Sequence, residues 1–357
     1  MTTDGERETS LDTAFVWRNV RGRLDTLKAS ASWLGGGGPG SYGHQPSTSF
    51  DVHYTQPFVL GLDSSAFARV GQRFRNHLDH SSYTLNVRDC AVGVHLPLGR
   101  FSVNSAWREV AAVDDSASPL IREEAGHSWK TSLRHEVARD TRDHPAMPTS
   151  GALLSASTEL TLPRLGDVAF AKGEAEAQTH VPLGASGAAL ALSARAGLVC
   201  SREGARVRVQ DRFFLGGPNS MRGFDLRGVG PRDAADAVGG DTFYTVAAVL
   251  STPVPQTSML WQLFNARVHA FWCAGDLADI SVVSKGVKRV MEGGGLQNKA
   301  KAGWGELQKS VRVAAGLGVA LETSVGRVEL NFCHVLRSAQ SDVPSSKFQL
   351  GISESFW

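Results

Sequence analysis

The chain has 357 residues, with 37 Lys and Arg against 35 Asp and Glu, a formal net charge of +2, 20% charged residues and 38 glycines. The charges are mixed along the chain with no basic stripe, which excludes the electrostatic footprint of a nucleic-acid binder, and the glycine content fits an all-β chain rich in turns. No window approaches the roughly 18 consecutive apolar residues of a transmembrane helix, but that test is blind to membrane strands, whose signal is a weak alternation over about ten residues repeated many times.

The amino-terminal MTTDGERETSLD carries acidic residues and no apolar core. It is neither a secretory signal nor an Arg-rich transit peptide, so residues 1–11 read as a short tail and residues 12–357 as one β unit. Strand candidates start near residues 12, 22, 47, 65, 82, 100, 117, 128, 151, 167, 187, 241, 263, 310, 325 and 346. The count of about sixteen is even and permits a closed antiparallel sheet, and lengths of about nine to fourteen residues exceed the usual strand and suit a membrane span.

Period-two alternation supports these assignments. Trp129, Leu133 and Val137 oppose Lys130, Arg134 and Glu136. Ala169, Ala171, Ala175 and Ala177 oppose Lys172, Glu174, Glu176 and Gln178; Leu190, Leu192 and Leu198 oppose Ser193 and Arg195. Phe264, Ala266, Val268, Ala270 and Trp272 alternate with Asn265, Arg267 and His269, and Val328, Leu330 and Phe332 with Arg327, Glu329 and Asn331. Loops fall at Ser32 to Pro46, Arg139 to Gly151, Leu215 to Gly240 and Asp276 to Leu307, the last with a short surface helix expected over Ser284 to Gly293. In hydrocarbon an open sheet edge leaves unpaired backbone groups costing several kcal/mol each, so membrane-spanning strands must close into a barrel.

One run differs from the rest: DRFFLGGPNSMRGF, residues 211–224. Gly216, Gly217 and Gly223 admit backbone conformations that side chains forbid, so the loop can fold back tightly, framed by Leu215 and Phe224, and hold Arg222 at its tip. Such a loop is built to insert. Chemistry elsewhere is sparse. Cys90, Cys200, Cys273 and Cys333 are far apart without CxxC spacing, so they read as isolated thiols, and the eleven histidines show no metal-ligand spacing. The glycine run Gly35 to Gly38 precedes no helix, which argues against a phosphate cradle, and no nucleophile–base set is recognisable on a strand. No metal, cofactor or enzymatic activity is expected.

The loop run resembles the signature of the outer-membrane barrel-assembly superfamily. REEAGHSWKTSLRHEVARDTRD (122–143), GDVAFAKGEAEAQ (166–178), GGDTFY (239–244), GRVELNFC (326–333) and FQLGISESFW (348–357) are similar, in order, to its mitochondrial branch, the core barrel of the sorting and assembly machinery. The resemblance implies a sixteen-stranded antiparallel transmembrane barrel in the mitochondrial outer membrane, with a long inward loop carrying the Arg-Gly-Phe motif. It implies an assembly complex whose peripheral subunits recognise barrel precursors, inserted through a lateral gate between the first and last strands, with edges near Ala14 to Leu34 and Lys347 to Phe356. Membrane lipid and precursor proteins are then the partners, and nucleic acid is not.

Three departures stand out. Family members usually carry an amino-terminal POTRA domain, and strand-like sequence starting near residue 12 leaves no room for one. Where the family's loop arginine docks near an aromatic-x-Asp-x-Gly motif, this chain has Phe271, Cys273 and Gly275, so Arg222 is expected to stack on an aromatic ring, worth about 1 to 2 kcal/mol, or to pair with Asp276 or Glu329. In the terminal β-signal, Gln349, Gly351 and Phe356 match, whereas Glu354 replaces a hydrophobic residue. A passive pore, a polypeptide-translocating barrel and a soluble ligand-binding β protein are the alternative readings.

Overall fold

The computed structural model describes residues 10–34, 47–59, 63–111, 116–201, 206–255, 257–280, 310–323 and 326–353. The expected helix at 284–293, Glu354 and Phe356 lie outside them. The first ten strands are β1 (Ser10–Arg18), β2 (Thr26–Leu34), β3 (Ser47–Pro57), β4 (Ser65–Asn76), β5 (Thr84–Leu96), β6 (Gly99–Ala111), β7 (Gly126–Asp140), β8 (Gly151–Thr161), β9 (Phe170–Leu183) and β10 (Ala188–Ser201). Two short strands, β11 (Arg232–Asp233) and β12 (Asp236–Ala237), pair with each other inside the loop that follows. Then come β13 (Thr242–Pro253), β14 (Arg267–Ala278), β15 (Arg312–Thr323), β16 (Gly326–Arg337) and β17 (Phe348–Ser353).

Fifteen of these strands form one sheet in chain order, β1 to β10 and then β13 to β17, and the pairs are antiparallel throughout. The strand expected near residue 117 is instead a helix, α1 (Pro119–Glu123). Ser118 accepts from the Ile121 amide and Pro119 opens the first turn, both helix-start features that outweigh the apolar residues around them. The strand expected from residue 263 begins at Arg267, because Met259–Phe264 forms α2 and Asn265 turns through φ 44°.

The two faces of the sheet differ as the alternation requires. On β16, Arg327, Glu329, Asn331 and Cys333 are buried, while Leu330 and Phe332 are 51% and 45% exposed. Val70, Val92, Leu133, Leu154, Leu192, Leu250 and Leu317 are likewise exposed on their strands. An apolar belt this wide is unfavourable in water and suited to hydrocarbon. The opposite face carries charges that neutralise one another across neighbouring strands, such as Arg73 with Asp89 at 2.8 Å and Lys130 with Glu159 at 3.0 Å.

Two segments lie against that polar face, one entering from each rim. β7 and β10 run in opposite directions, so the turn after β7 and the loop after β10 leave the sheet at opposite rims. From one rim, residues 206–241 enter and touch strands as far apart as β6 and β17. From the other, the turn 141–150 reaches across to β15 and β16: Ala146 and Met147 pack with Ala320, and Arg327 donates to the Ala146 carbonyl at 3.2 Å.

Candidate functional site

The inward loop is positioned by glycine geometry. Gly216, Gly217 and Gly223 have φ of 119°, 98° and 88°, in the region that L side chains rarely adopt. At Gly223 the loop also lies against the wall, where an added Cβ would stand 3.0 Å from the Ala314 Cβ. These turns bring Leu215, Met221 and Phe224, all almost fully buried, into the main apolar cluster with Phe213, Phe243, Phe271, Cys273 and Cys333.

Arg222 is completely buried. Its Nη2 and Nε donate to Glu329 Oε2 at 2.8 and 3.3 Å, and its guanidinium lies 5.3 Å from the Phe271 ring centre. The two expected modes, stacking and carboxylate pairing, therefore occur together. Cys273 donates its thiol to the Arg222 carbonyl at 3.6 Å, so the residue that replaces the acid touches the loop backbone and not the charge. Asp276 does not reach Arg222. It pairs with Arg312, which also binds Asp342 at 2.9 Å, because Asp276 sits at the end of β14 nearer the rim, while Arg222 reaches deeper to the level of Cys273 and Phe271. Gly275 faces the β13 backbone, where an added Cβ would meet the Tyr244 carbonyl at 2.6 Å.

Glu329 is a shared acceptor. It also receives Arg327 and, at 3.1 Å, the Asn331 amide, and Arg327 in turn holds the turn from the opposite rim. One carboxylate thus connects both inserted segments. Burying a charge is tolerable only when it is paired and hydrogen-bonded, and Glu329 meets both conditions. The final strand completes the socket: Gln349 accepts from the Gly223 amide at 3.1 Å and donates to the Phe224 carbonyl at 2.9 Å. Gly351 lies beneath Pro218, whose Cβ would be 3.0 Å from a Cβ added there.

A second anchor was not foreseen in the sequence. Asp211 Oδ1 accepts from Arg108 at 2.7 Å and Lys130 at 3.2 Å, and Lys172 donates to its carbonyl at 3.1 Å. Burial alone would raise the Asp211 carboxyl, but Arg108 and Lys130 override it and hold it well below the usual carboxylate range. Arg227 adds a third tie, 3.9 Å from the Phe214 ring centre and donating to Ser81 at 2.9 Å. Asp236 accepts from Ser82 at 2.6 Å and from the Ser118 amide at 2.7 Å, which fastens the loop to the segments on either side of β5 and β6. The signal in sequence was the inward row Arg108, Lys130 and Lys172 facing one acid just ahead of the glycine run. Among the described residues no group of three His, Cys, Asp or Glu could hold a metal ion.

The Omp85 superfamily domain matches residues 19–356. The chain belongs to the Omp85 superfamily. Over 366 aligned residues it is 29% identical to a SAM50-like protein of Schizosaccharomyces pombe, covering 99% of this chain and 70% of that protein. Over 231 residues it is 33% identical to the mouse sorting and assembly machinery component 50 homolog, covering 64% of this chain but only 46% of the mouse protein. The chain therefore spans about half to three quarters of the length of such relatives. Among solved structures, BamA from Haemophilus ducreyi lacking POTRA domains 1–3 superposes with a TM-score of 0.74 at 16% identity, covering 96% of this chain and 66% of that one. The fold is thus that of an Omp85 outer-membrane barrel protein.

Proposed function

We propose that this Omp85 chain closes into a barrel in the mitochondrial outer membrane and there inserts and folds β-barrel precursors, as the core of a sorting and assembly complex. The carrying observation is the buried docking of Arg222 on Glu329, which fixes the Arg-Gly-Phe loop against the strands next to the sheet's terminal edge. Precursors enter through a gate between β1 and β17, the strands at the two ends of the sheet order. Their terminal strand adds to an exposed edge, exchanging one set of backbone hydrogen bonds for another. No covalent step, nucleotide or cofactor is needed. Peripheral subunits supply precursor recognition, and membrane lipid solvates the apolar belt.

The occupation of the polar face by residues 206–241 and 141–150 favours this reading over a passive pore, which gains nothing from a filled interior. The test is depletion of the protein in its own cells, then import of labelled porin and of a helical-tailed outer-membrane protein into isolated mitochondria. Loss of porin assembly with the helical protein spared is the expected result; unimpaired porin assembly overturns the reading.

A further inference from the structure

The register of β17 fixes which of its backbone groups face outward. The Cys333 amide donates to the Lys347 carbonyl at 2.7 Å, so this residue pair is a hydrogen-bonded one. In an antiparallel ladder such pairs recur at every second residue. From the pairing of Asn331 with Gln349 and Glu329 with Gly351, both residues aim their N–H and C=O at β16. Phe348, Leu350 and Ile352 then aim theirs away from β16, at the outer edge of the sheet. No strand pairs with that edge among the described residues.

Two of those three outward carbonyls are nevertheless capped by side chains. Asn219 Nδ2 donates to the Ile352 carbonyl at 2.9 Å, and the Ser346 hydroxyl donates to the Phe348 carbonyl at 2.7 Å. Ser346 is a local cap. Asn219 is not: it belongs to the inward loop, 133 residues away, three positions ahead of Arg222, and is itself buried. Its path to the edge runs over Gly351, the one residue of β17 without a side chain in the way. An added Cβ at that position would meet Pro218 at 3.0 Å and Asn219 Oδ1 at 3.2 Å.

We propose that Asn219 is an edge clasp. Its amide occupies, from the inner side, a hydrogen-bonding position that a strand adding to β17 would use, so an extended polypeptide segment can pair along the full edge only by displacing it. The loop that docks through Arg222 thereby also governs access to the terminal edge, and Gly351 serves both by letting the loop approach and by leaving the route open. Asn219 is a positioning residue for strand addition. The inference rests on the proposed function only in taking strand addition at β17 as the event that matters.

The test places a photo-reactive p-benzoylphenylalanine at Leu350, a side chain 62% exposed on the belt face, in the full chain reconstituted in lipid vesicles. Two probes are added separately: a synthetic amphipathic strand peptide and a porin precursor. Asn219→Ala and Asn219→Asp are compared with the parent, with folding checked by heat-modifiable gel mobility. Asp keeps the size and shape of Asn but, when ionised, cannot donate to a carbonyl. Crosslinking of the strand peptide should rise about two- to tenfold in both variants, the range spanned by loss of one neutral hydrogen bond. A response in Ala alone, with Asp matching the parent, makes the role steric and overturns the clasp, as does no response in either folded variant. If the strand peptide responds and the porin precursor crosslinks in no variant, the clasp stands and the insertase reading falls.

Discussion

Arg222 and Glu329 are 107 residues apart in sequence and meet at 2.8 Å in a buried contact that Arg327 shares from the other side. The sharing makes the two partners unequal. Removal of Arg222 leaves Glu329 still bound to Arg327 and Asn331, so Arg222→Ala should insert normally and lose about 1 to 3 kcal/mol of stability. Removal of Glu329 leaves two arginines buried together without their acceptor, so Glu329→Ala should lose about 3 to 5 kcal/mol. The midpoint of heat-modifiable mobility in detergent measures both. Equal losses in the two variants would remove the shared-acceptor argument.

A double substitution refines this. If Arg222 and Glu329 act through one contact, the stability losses of Arg222→Ala and Glu329→Ala should fall short of additivity in the double variant by roughly 1 kcal/mol or more. Strict additivity would mean that the loop is held elsewhere, with Asp211 and Arg227 as the remaining ties.

A Cβ added at Gly351 would stand 3.0 Å from the Pro218 Cβ, so the loop must give by a few tenths of an ångström to admit a side chain there. Gly351→Val should therefore weaken loop docking, and, if the terminal strand serves as the chain's own assembly signal, should impair membrane insertion more strongly still. Import of the labelled variant measures insertion, and protease protection of the inserted fraction measures docking. A fully inserted variant with an intact protease pattern would show that the loop yields to the new side chain at no cost.

Much of this site was legible in sequence and some was not, for physical reasons. Alternation revealed the strands because one face of each must be polar and the other apolar, and it failed at Ser118 and Pro119, where capping geometry decided for a helix. The glycines around Arg222 announced an inserted loop. The partner of Arg222 could be narrowed only to Phe271 or one of two acids, since register and strand-end position, which send Asp276 to Arg312, are properties of the assembled sheet. Asn219 on Ile352 was illegible for a similar reason: the direction of a backbone carbonyl depends on which residue pairs are hydrogen-bonded.

The Asp211 anchor predicts a charge-specific defect. Asp211→Asn keeps the shape but removes the charge facing Arg108 and Lys130, leaving cations crowded with one fewer acid; a loss of about 2 to 4 kcal/mol is expected. Adding Arg108→Met should recover part of it by deleting one of the stranded charges. Thermal midpoints of the single and double variants decide the matter, and a double variant less stable than Asp211→Asn would refute the electrostatic account.

The turn at the opposite rim carries an acid-sensitive lock. Burial would raise the Asp143 carboxyl, but hydrogen bonds from the Thr149 hydroxyl and the amides of Ser150, Thr149 and His144 lower it from 3.8 to about 2. A carboxyl with a lower pKa in the folded state binds fewer protons folded than unfolded. Its contribution is therefore complete above 3.8 and fades as the pH falls towards about 2. Asp143→Asn abolishes the charged acceptor at every pH and mimics the acid form. Pepsin digestion of the turn, read between pH 4 and 2, should show the variant cleaved faster than the parent at pH 4, with the ratio of the two rates falling towards one at pH 2. A ratio independent of pH would mean that the Asp143 charge does not hold the turn, and that its tie to Arg327 through the Ala146 carbonyl suffices alone.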